Sequence, residues 1–233
     1  RDTVLEQIAI AESVLSDDEK ELGVALIDIG GGTTDMAIFE KGSIWFTAVL
    51  PVGGDHFTND LAVGLRTPIP DAERLKKSQG CALASLVQEN AVIEVPTVGG
   101  RKPRQLSHQV MAEILQPRAQ EIFSLFHNEI VRAGFDKMLN AGVVLTGGGS
   151  LLPGTTEVAE QVFDMPVRQG SPGGAGGLVD PVSGPQHAAA IGLALYGARH
   201  IEDESRRRIP LTIPTSGFGK VGGRVRQWLT EMF

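Results

Sequence analysis

The stretch Asp28-Ile29-Gly30-Gly31-Gly32-Thr33-Thr34-Asp35 sets the fold and the chemistry expected of this chain. It follows an apolar run of strand length, residues 24–29, and leads into a second predicted strand over residues 33–39. Because glycine has no Cβ, main-chain N–H groups in such a turn can converge on an anion. Thr33 and Thr34 add hydroxyl donors, and Asp28 is predicted to hold Mg²⁺ directly or through water. We interpret this turn as phosphate-binding; the alternative is an ordinary glycine-rich hairpin turn.

The elements around this turn are predicted from hydrophobic pattern and turn residues. A helix over residues 2–15 ends in a polar turn at 16–19, and a third strand covers residues 44–52. A helix over residues 56–65 is predicted to begin with Asp55 as its N-cap. Three antiparallel strands followed by a helix therefore form the leading part of the predicted fold.

A second glycine turn repeats the pattern further along the chain. Residues 141–146 are predicted as a buried strand, and Gly147-Gly148-Gly149-Ser150 then lead into a helix over residues 155–163. One interpretation is a tight strand-to-helix turn that needs glycine for packing. The functional interpretation is a backbone that lies flat against a planar ring or a ribose. We expect the two glycine turns to face each other across one crevice that holds a purine triphosphate.

Composition excludes several classes of protein. The 233 residues carry a formal net charge of −7, which excludes a nucleic-acid binder with a broadly basic surface. The single cysteine, Cys81, excludes an internal disulfide framework and a cysteine zinc cluster. No apolar run approaches the ~18 residues that a membrane span requires.

Four motifs in order resemble the actin/Hsp70/sugar-kinase superfamily. Residues 28–35 resemble its second phosphate motif and residues 145–154 its adenosine motif. Between them, residues 53–62 resemble the glycine turn and helix of bacterial actins, and residues 71–77 resemble a helix whose glutamate and lysine reach the nucleoside. Glu73 and Lys76 are three residues apart and share one helix face. The resemblance implies ATP with Mg²⁺ as cofactor, bound by both glycine turns and by Gly54, Glu73, Lys76 and Lys77.

Within this superfamily the chain is most similar to the bacterial cell-division FtsA family. The resemblance extends from about Leu5 to the last residue and is carried by residues 13–23, 80–83 and 95–104. It implies the second half of an actin-like, ribonuclease-H-like α/β fold, a mixed sheet flanked by helices with an inserted small α/β subdomain. The expected divisions are a connecting helix (1–22), a nucleotide-binding sheet subdomain (23–66 and 134–186), a partner-binding insert (67–133), a helix that packs on the other half (187–200), a linker (201–218) and a membrane-targeting helix (219–233).

The same resemblance implies a partner for the insert, the C-terminal peptide of the tubulin-like division protein FtsZ. A long helix from Ser107, bent at Pro117, is expected to present Arg118. Together with Arg101, Lys102 and Arg104, Arg118 is predicted to receive an acidic peptide. The alternative is that these basic side chains are simply solvated.

The chain departs from the superfamily pattern at the positions that concern hydrolysis. The first phosphate motif of the superfamily does not occur in this sequence, so we expect an incomplete ATP site. Glu6 falls near the position of a water-orienting glutamate and is the candidate catalytic residue, but Gln7 stands where proline is usual. Weak ATPase activity and an ordinary surface role for Glu6 both stay open.

The last fifteen residues are predicted to form an amphipathic helix on anionic lipid. Their apolar stripe and basic flank suit the headgroup boundary, and a helix of ~20 Å is too short to cross a ~30 Å hydrocarbon core. Docking on a protein surface is the alternative. The residues expected at the membrane are Lys220, Val221, Arg224, Val225, Trp228, Leu229, Met232 and Phe233.

These features predict an ATP-binding protein that polymerises and tethers the FtsZ ring to the cytoplasmic face of the inner membrane at the division site. Self-association, anionic lipids and other division proteins are the expected partners. A small-molecule kinase and an Hsp70-like chaperone of the same superfamily are the alternatives. A kinase has no evident need for a linker and an amphipathic tail, and a chaperone is expected to continue into a β-rich substrate domain.

Overall fold

A computed structural model describes residues 3–99, 102–173 and 182–207 of the chain, with side chains up to residue 201. Residues up to 196 belong to one compact unit and residues 197–233 to a second, of which residues 197–207 are described and are helical. The elements of the described residues are α1 (Glu6–Val14), α2 (Asp17–Leu22), β1 (Val24–Ile29), β2 (Thr34–Glu40), β3 (Ser43–Leu50), α3 (Gly54–Gly64), α4 (Ile69–Gln79), β4 (Val92–Val95), β5 (Arg104–Ser107), α5 (His108–Ala133), β6 (Val143–Thr146), α6 (Thr155–Phe163), β7 (Val167–Gln169) and α7 (Ala188–Arg207), with short 3-10 helices at Ala84–Leu86, Gly148–Leu151 and Pro185–His187.

A mixed five-stranded sheet in the order β3-β2-β1-β6-β7 forms the centre of the first unit. The strands β1, β2 and β3 are an antiparallel meander, while β6 runs parallel to β1 and β7 runs parallel to β6. Residues of β1 are apolar almost throughout because the strand is buried on both faces of the sheet. Asp28 lies opposite Thr146 in the parallel register, so the turns that follow β1 and β6 leave the same edge of the sheet side by side.

Two apolar layers cover the sheet. One face, together with α3, α4, α5 and α6, forms the larger core, in which Phe123, Phe126 and Phe163 are almost completely buried. The other face packs against α1 and the start of α7, with Ile10 and Leu26 fully buried there. The glycine turns therefore project from a sheet that is held rigidly on both sides.

Two local predictions are wrong, one for residues 16–19 and one for the start of α3. The expected polar turn at residues 16–19 is the start of α2, because the hydroxyl of Ser16 accepts from the N–H of Glu19 and the Glu19 carboxylate accepts from the N–H of Ser16 at 2.8 Å. The N-cap of α3 is Gly53 and not Asp55, which lies in the first turn of the helix. A Cβ on Gly53 would lie 2.7 Å from the carbonyl oxygen of Gly30, so only glycine fits there.

The region 67–133 contains α4, a two-stranded antiparallel ribbon of β4 and β5, and α5. The long helix expected from Ser107 is confirmed: Ser107 is its N-cap and Pro117 lies inside it. Phe123 and Phe126 of this helix share the larger core with the central sheet. The division of this region from the sheet as a separate subdomain stays a prediction.

The C-terminal helix α7 is longer than expected. The linker was predicted to begin at residue 201, yet α7 continues to Arg207 because the segment is rich in glutamate and arginine, which favour helix. The remainder of the predicted linker and the whole predicted membrane helix lie outside the described residues. Within residues 3–99, 102–173 and 182–207, no helix has the length and apolar character needed to cross a bilayer.

Candidate functional site

Both glycine turns line a single cavity of about 300 Å³. Gly30 and Gly31 come from the turn after β1, and Gly148 and Gly149 come from the turn after β6. The start of α3 and the middle of α4 complete the wall. The other lining residues are Gly54, Asp55, Phe57, Glu73, Lys76, Lys77, Leu151, Leu152 and Pro153.

The first turn is fastened to the N-terminus of α3. The N–H of Gly54 donates to the carbonyl of Gly30 at 2.9 Å, and the N–H of Asp55 donates to the carbonyl of Gly31 at 2.8 Å. The positive end of an eleven-residue helix therefore meets the cavity beside two glycines. A helix N-terminus favours anions through its dipole. The first N–H groups of α3 already donate to protein carbonyls, and the carboxylate of Asp55 also lines the cavity here, so this end offers the dipole and no free N–H from Gly54 or Asp55.

The remaining residues of the first motif lie outside the cavity lining. Gly32 and Thr33 are exposed on the turn. Thr34 is completely buried, and its hydroxyl donates to the carbonyl of Val52 at 2.7 Å. The expectation that Thr34 offers a hydroxyl to phosphate therefore does not fit this geometry, because its proton is used to join the ends of β2 and β3.

The second turn is shaped by close contacts with β1. Gly147 has φ of +82°, and a Cβ at this position would lie 2.1 Å from Oδ1 of Asp28. A Cβ on Gly149 would lie 2.3 Å from Cγ2 of Ile29. The buried hydroxyl of Ser150 donates to the carbonyl of Gly147 at 2.8 Å, so this side chain closes the turn on itself. Gly148 differs, because a Cβ there would meet nothing closer than 3.8 Å.

Helix α4 brings the predicted glutamate and lysine pair to the cavity wall. Nζ of Lys76 lies 2.7 Å from Oε2 of Glu73, and Nζ of Lys77 lies 3.1 Å from Oε1 of the same carboxylate. Burial alone would raise the pKa of Glu73, but hydrogen bonds from Lys76, Thr58 and Lys77 outweigh it and lower the pKa to about 2. Glu73 is therefore an ionised group that only accepts hydrogen bonds.

Thr58 contacts two residues of this wall without lining the cavity itself, and it is not among the site residues that the sequence predicts. It lies one turn into α3, is buried, and donates its hydroxyl proton to Glu73 while accepting from Lys76 at 2.8 Å. The signal that was available is its position four residues after Gly54, which places it on the same face of the helix.

Asp28 sits at the end of β1 in an acidic environment. Burial, followed by the charges of Glu6 and Asp35, raises the pKa of Asp28 to about 6. Glu6 is exposed and does not line the cavity, and its catalytic role stays a prediction. No group of three or more histidine, cysteine or acidic side chains suited to a metal occurs in the described part of the chain. A lone carboxylate fits Mg²⁺, which keeps most of its water ligands and binds phosphate oxygens directly.

The predicted partner-binding arginines that the structure describes have partners within the chain. Nε and Nη2 of Arg118 lie 2.6 and 3.0 Å from the two carboxylate oxygens of Asp60 on α3, and Arg118 also contacts Glu121. Arg104 donates to the carbonyl of Leu65 at the end of α3. Both arginines thus connect the region 67–133 to α3, and their role in peptide binding stays a prediction. Arg101 and the tail from Lys220 to Phe233 lie outside the described residues.

Solved structures with the same fold define the class of protein. MreB5 of Spiroplasma citri bound to ADP matches with a TM-score of 0.69 at 21% identity, covering 87% of this chain and 61% of that one. A non-polymerising MamK mutant bound to AMPPNP matches with a TM-score of 0.57 at 18% identity, covering 83% of this chain and 58% of that one. The chain therefore has the fold of the actin-like ATPases, as expected from its glycine motifs.

Sequence relatives narrow this class to one family. A family model described as "Cell division protein FtsA" matches residues 25–192. Proteins of that description from Pseudomonas aeruginosa, Neisseria meningitidis and Escherichia coli are 50%, 43% and 39% identical, over 87%, 99% and 97% of this chain. The chain belongs to the FtsA family of cell-division proteins. It spans 48%, 56% and 55% of those three relatives, about half of their length.

Proposed function

We propose that this protein binds ATP and Mg²⁺ in the cavity between its two glycine turns and uses the bound state to build division filaments on the membrane. The observation that supports ATP binding most strongly is the meeting of both turns on one cavity wall with the N-terminus of α3 and with Glu73. The cavity of about 300 Å³ lies at the lower end of small-molecule pockets. It therefore accommodates part of a nucleotide, and the rest extends outward.

An orientation of the nucleotide is part of the proposal. The phosphates would lie at Gly30 and Gly31, where the backbone has no Cβ in the way and the dipole of α3 favours negative charge, with Mg²⁺ offsetting the nearby Asp55 carboxylate. The nucleoside would lie at the α4 end, where Glu73 can accept from sugar hydroxyls. Leu152 and Pro153 offer apolar contact to the base. Asp28 would hold Mg²⁺, which neutralises phosphate charge when bound.

Nucleotide binding is tested with Gly148→Val in the full-length protein. A Cβ at Gly148 meets no atom closer than 3.8 Å, and Gly148 lines the cavity, so this variant should lose ATP affinity without losing thermal stability. Gly173→Val is the matched control, because Gly173 is exposed, does not line the cavity and has nothing within 3.8 Å of its Cβ position. Unchanged ATP affinity of Gly148→Val in calorimetry would show that ATP binds elsewhere.

The division role rests on the family and on the sequence of the tail. Membership in FtsA supports a tether that presents a site for the FtsZ C-terminal peptide and anchors the ring to the cytoplasmic face of the inner membrane. Lys220, Arg224 and Arg226 contribute about 1 kcal/mol each near an anionic surface, so one tail binds weakly. Many tails on one filament gain by effective concentration, which couples polymerisation to membrane attachment.

The tail is tested by liposome co-sedimentation of the full-length protein. Trp228→Glu places a charge in the apolar stripe and should abolish sedimentation with anionic vesicles, whereas the control Gln227→Glu adds the same charge beside the stripe. Equal sedimentation of the two variants would remove the membrane helix from the proposal. Equal binding by monomer and polymer would remove the coupling to assembly. A kinase, in contrast, should keep its turnover after deletion of residues 219–233.

A further inference from the structure

Four polar groups meet where α3 and α4 touch at the cavity wall. They are the carbonyl of Gly54, the hydroxyl of Thr58, the carboxylate of Glu73 and the ammonium of Lys76. Nζ of Lys76 lies 2.8 Å from the carbonyl oxygen of Gly54, 2.8 Å from Oγ1 of Thr58 and 2.7 Å from Oε2 of Glu73. The hydroxyl of Thr58 and Oε2 of Glu73 also contact each other, so they lie too close together, as seen from Nζ, for a separate N–H to point at each. Lys76 therefore braces the two helices through partly shared hydrogen bonds.

The hydroxyl of Thr58 completes the arrangement. It carries one proton, for which the Glu73 carboxylate is a closer and stronger acceptor than the carbonyl oxygen of Gly54 at 3.2 Å, and it accepts from Lys76. Oε2 is thus held by two donors, while Oε1 has one contact among the described residues, with the exposed Lys77 at 3.1 Å. Glu73 lines the cavity, and a carboxylate oxygen with one donor can accept a further hydrogen bond from a ligand.

We propose that Thr58 is a positioning residue, which orients Glu73 to accept hydrogen bonds from the sugar hydroxyls of the nucleotide while Lys76 acts as a brace between α3 and α4. This inference rests on the proposed ATP site. An ionised carboxylate accepts only, and among the parts of a nucleotide the vicinal hydroxyls are neutral donors of the right kind. Without the Thr58 hydroxyl, Glu73 loses one of the two donors that fix its orientation, and Lys76 loses one of its acceptors.

The experiment compares ATP with 2′,3′-dideoxy-ATP on the full-length protein by calorimetry. The wild type should bind ATP at least about tenfold more tightly, since hydrogen bonds to a charged group are stronger than neutral ones. Thr58→Val keeps the shape of the side chain and removes the hydroxyl, so it should weaken ATP about tenfold and leave dideoxy-ATP nearly unchanged. Thr58→Ser restores the hydroxyl and should restore the preference for ATP. Thr58→Ala is measured in parallel because it removes the hydroxyl without placing a second methyl group among buried polar atoms.

The outcomes separate the inference from the function on which it rests. A merely structural role for Thr58 would weaken both nucleotides equally, and that result would overturn the inference. Equal binding of ATP and dideoxy-ATP by the wild type would also overturn it, since Glu73 would then not contact the sugar. If the wild type bound neither nucleotide, the proposed ATP site would fall, and the inference with it.

Discussion

Replacement of Gly147 by alanine is the sharpest test of how the second glycine turn is built. Gly147 has φ of +82°, a conformation that side chains with a Cβ rarely adopt. A methyl group here would also lie 2.1 Å from Oδ1 of Asp28 and 2.6 Å from the carbonyl oxygen of Ile29. The carbonyl oxygen of Ile29 belongs to the backbone of a central strand and cannot move easily, so the clash remains even if the Asp28 side chain rotates away.

The magnitude follows from these two effects. A strained backbone conformation costs about 1–3 kcal/mol, and an overpacked methyl group adds about 1–3 kcal/mol. Gly147→Ala should therefore lower the free energy of unfolding by about 2–6 kcal/mol, a large share of the ~5–15 kcal/mol typical of a folded domain. At about 2–4 °C per kcal/mol for a domain of this size, Tm should fall by at least about 4 °C.

The measurement is thermal unfolding of the nucleotide-free protein, with Gly148→Ala as the matched control in the same turn. A Cβ on Gly148 meets only Gln186, at 3.8 Å, so its Tm should stay within about 2 °C of the wild type. If the two variants unfolded at the same temperature, the close approach of the second turn to β1 would not hold. Comparable stability of Gly147→Ala and wild type would have the same meaning.

Three further predictions concern charged side chains. Burial raises the pKa of Glu19, but hydrogen bonds from Arg168 (2.6 and 2.7 Å) and from a backbone N–H outweigh it and hold the pKa below 4.5. Glu19→Gln should therefore lower the free energy of unfolding by about 1 kcal/mol at pH 7, and this deficit should shrink as pH falls below 4.5. Burial and then neighbouring carboxylates raise the pKa of Asp28 from 3.8 to about 6, so the native state loses stability as pH rises through 6. Asp28→Asn should therefore recover up to about 3 kcal/mol of unfolding free energy at pH 7, measured by thermal unfolding without nucleotide. The same variant should weaken Mg²⁺-dependent ATP binding. Arg118→Met and Asp60→Asn should each lower the free energy of unfolding by about 1 kcal/mol. If the two losses are strictly additive in a double-mutant cycle, the ion pair does not couple α5 to α3.

The sequence predicted the parts of the site that depend on local pattern. Apolar runs followed by glycine triplets located the two turns, because a buried strand and a Cβ-free turn leave a clear signature. The spacing of Glu73 and Lys76 placed both on one face of a helix, and both do line the cavity. Their joint contact with a ribose stays a prediction, because the ammonium of Lys76 already contacts three acceptors of the protein.

What the sequence did not predict depends on tertiary contacts. A threonine beside a glycine turn reads as a phosphate ligand, yet the hydroxyl of Thr34 is turned into the sheet and bonded to Val52. Thr58 lies within the glycine-turn motif of residues 53–62, but its contacts with Glu73 and Lys76 form only when α4 packs against α3. The cap of α3 is a glycine because the carbonyl of Gly30 approaches too closely for any side chain, a distance that no local pattern encodes.

The parallel pairing of β1 with β6 has a consequence for how the molecule is made. That pair closes a loop which contains every element from β2 to α5, so the edge where the two turns meet forms only when distant parts of the chain have been brought together. Contacts of this long sequence separation form slowly during folding. A nucleotide that touches both turns binds the completed pair and not the open chain, and by mass action it shifts the population toward folded subunits. Since a domain with ~5–15 kcal/mol of stability is already almost entirely folded, ATP bound at the proposed site would act on the rare unfolded fraction, the form that proteases attack, and would leave the number of folded subunits nearly unchanged.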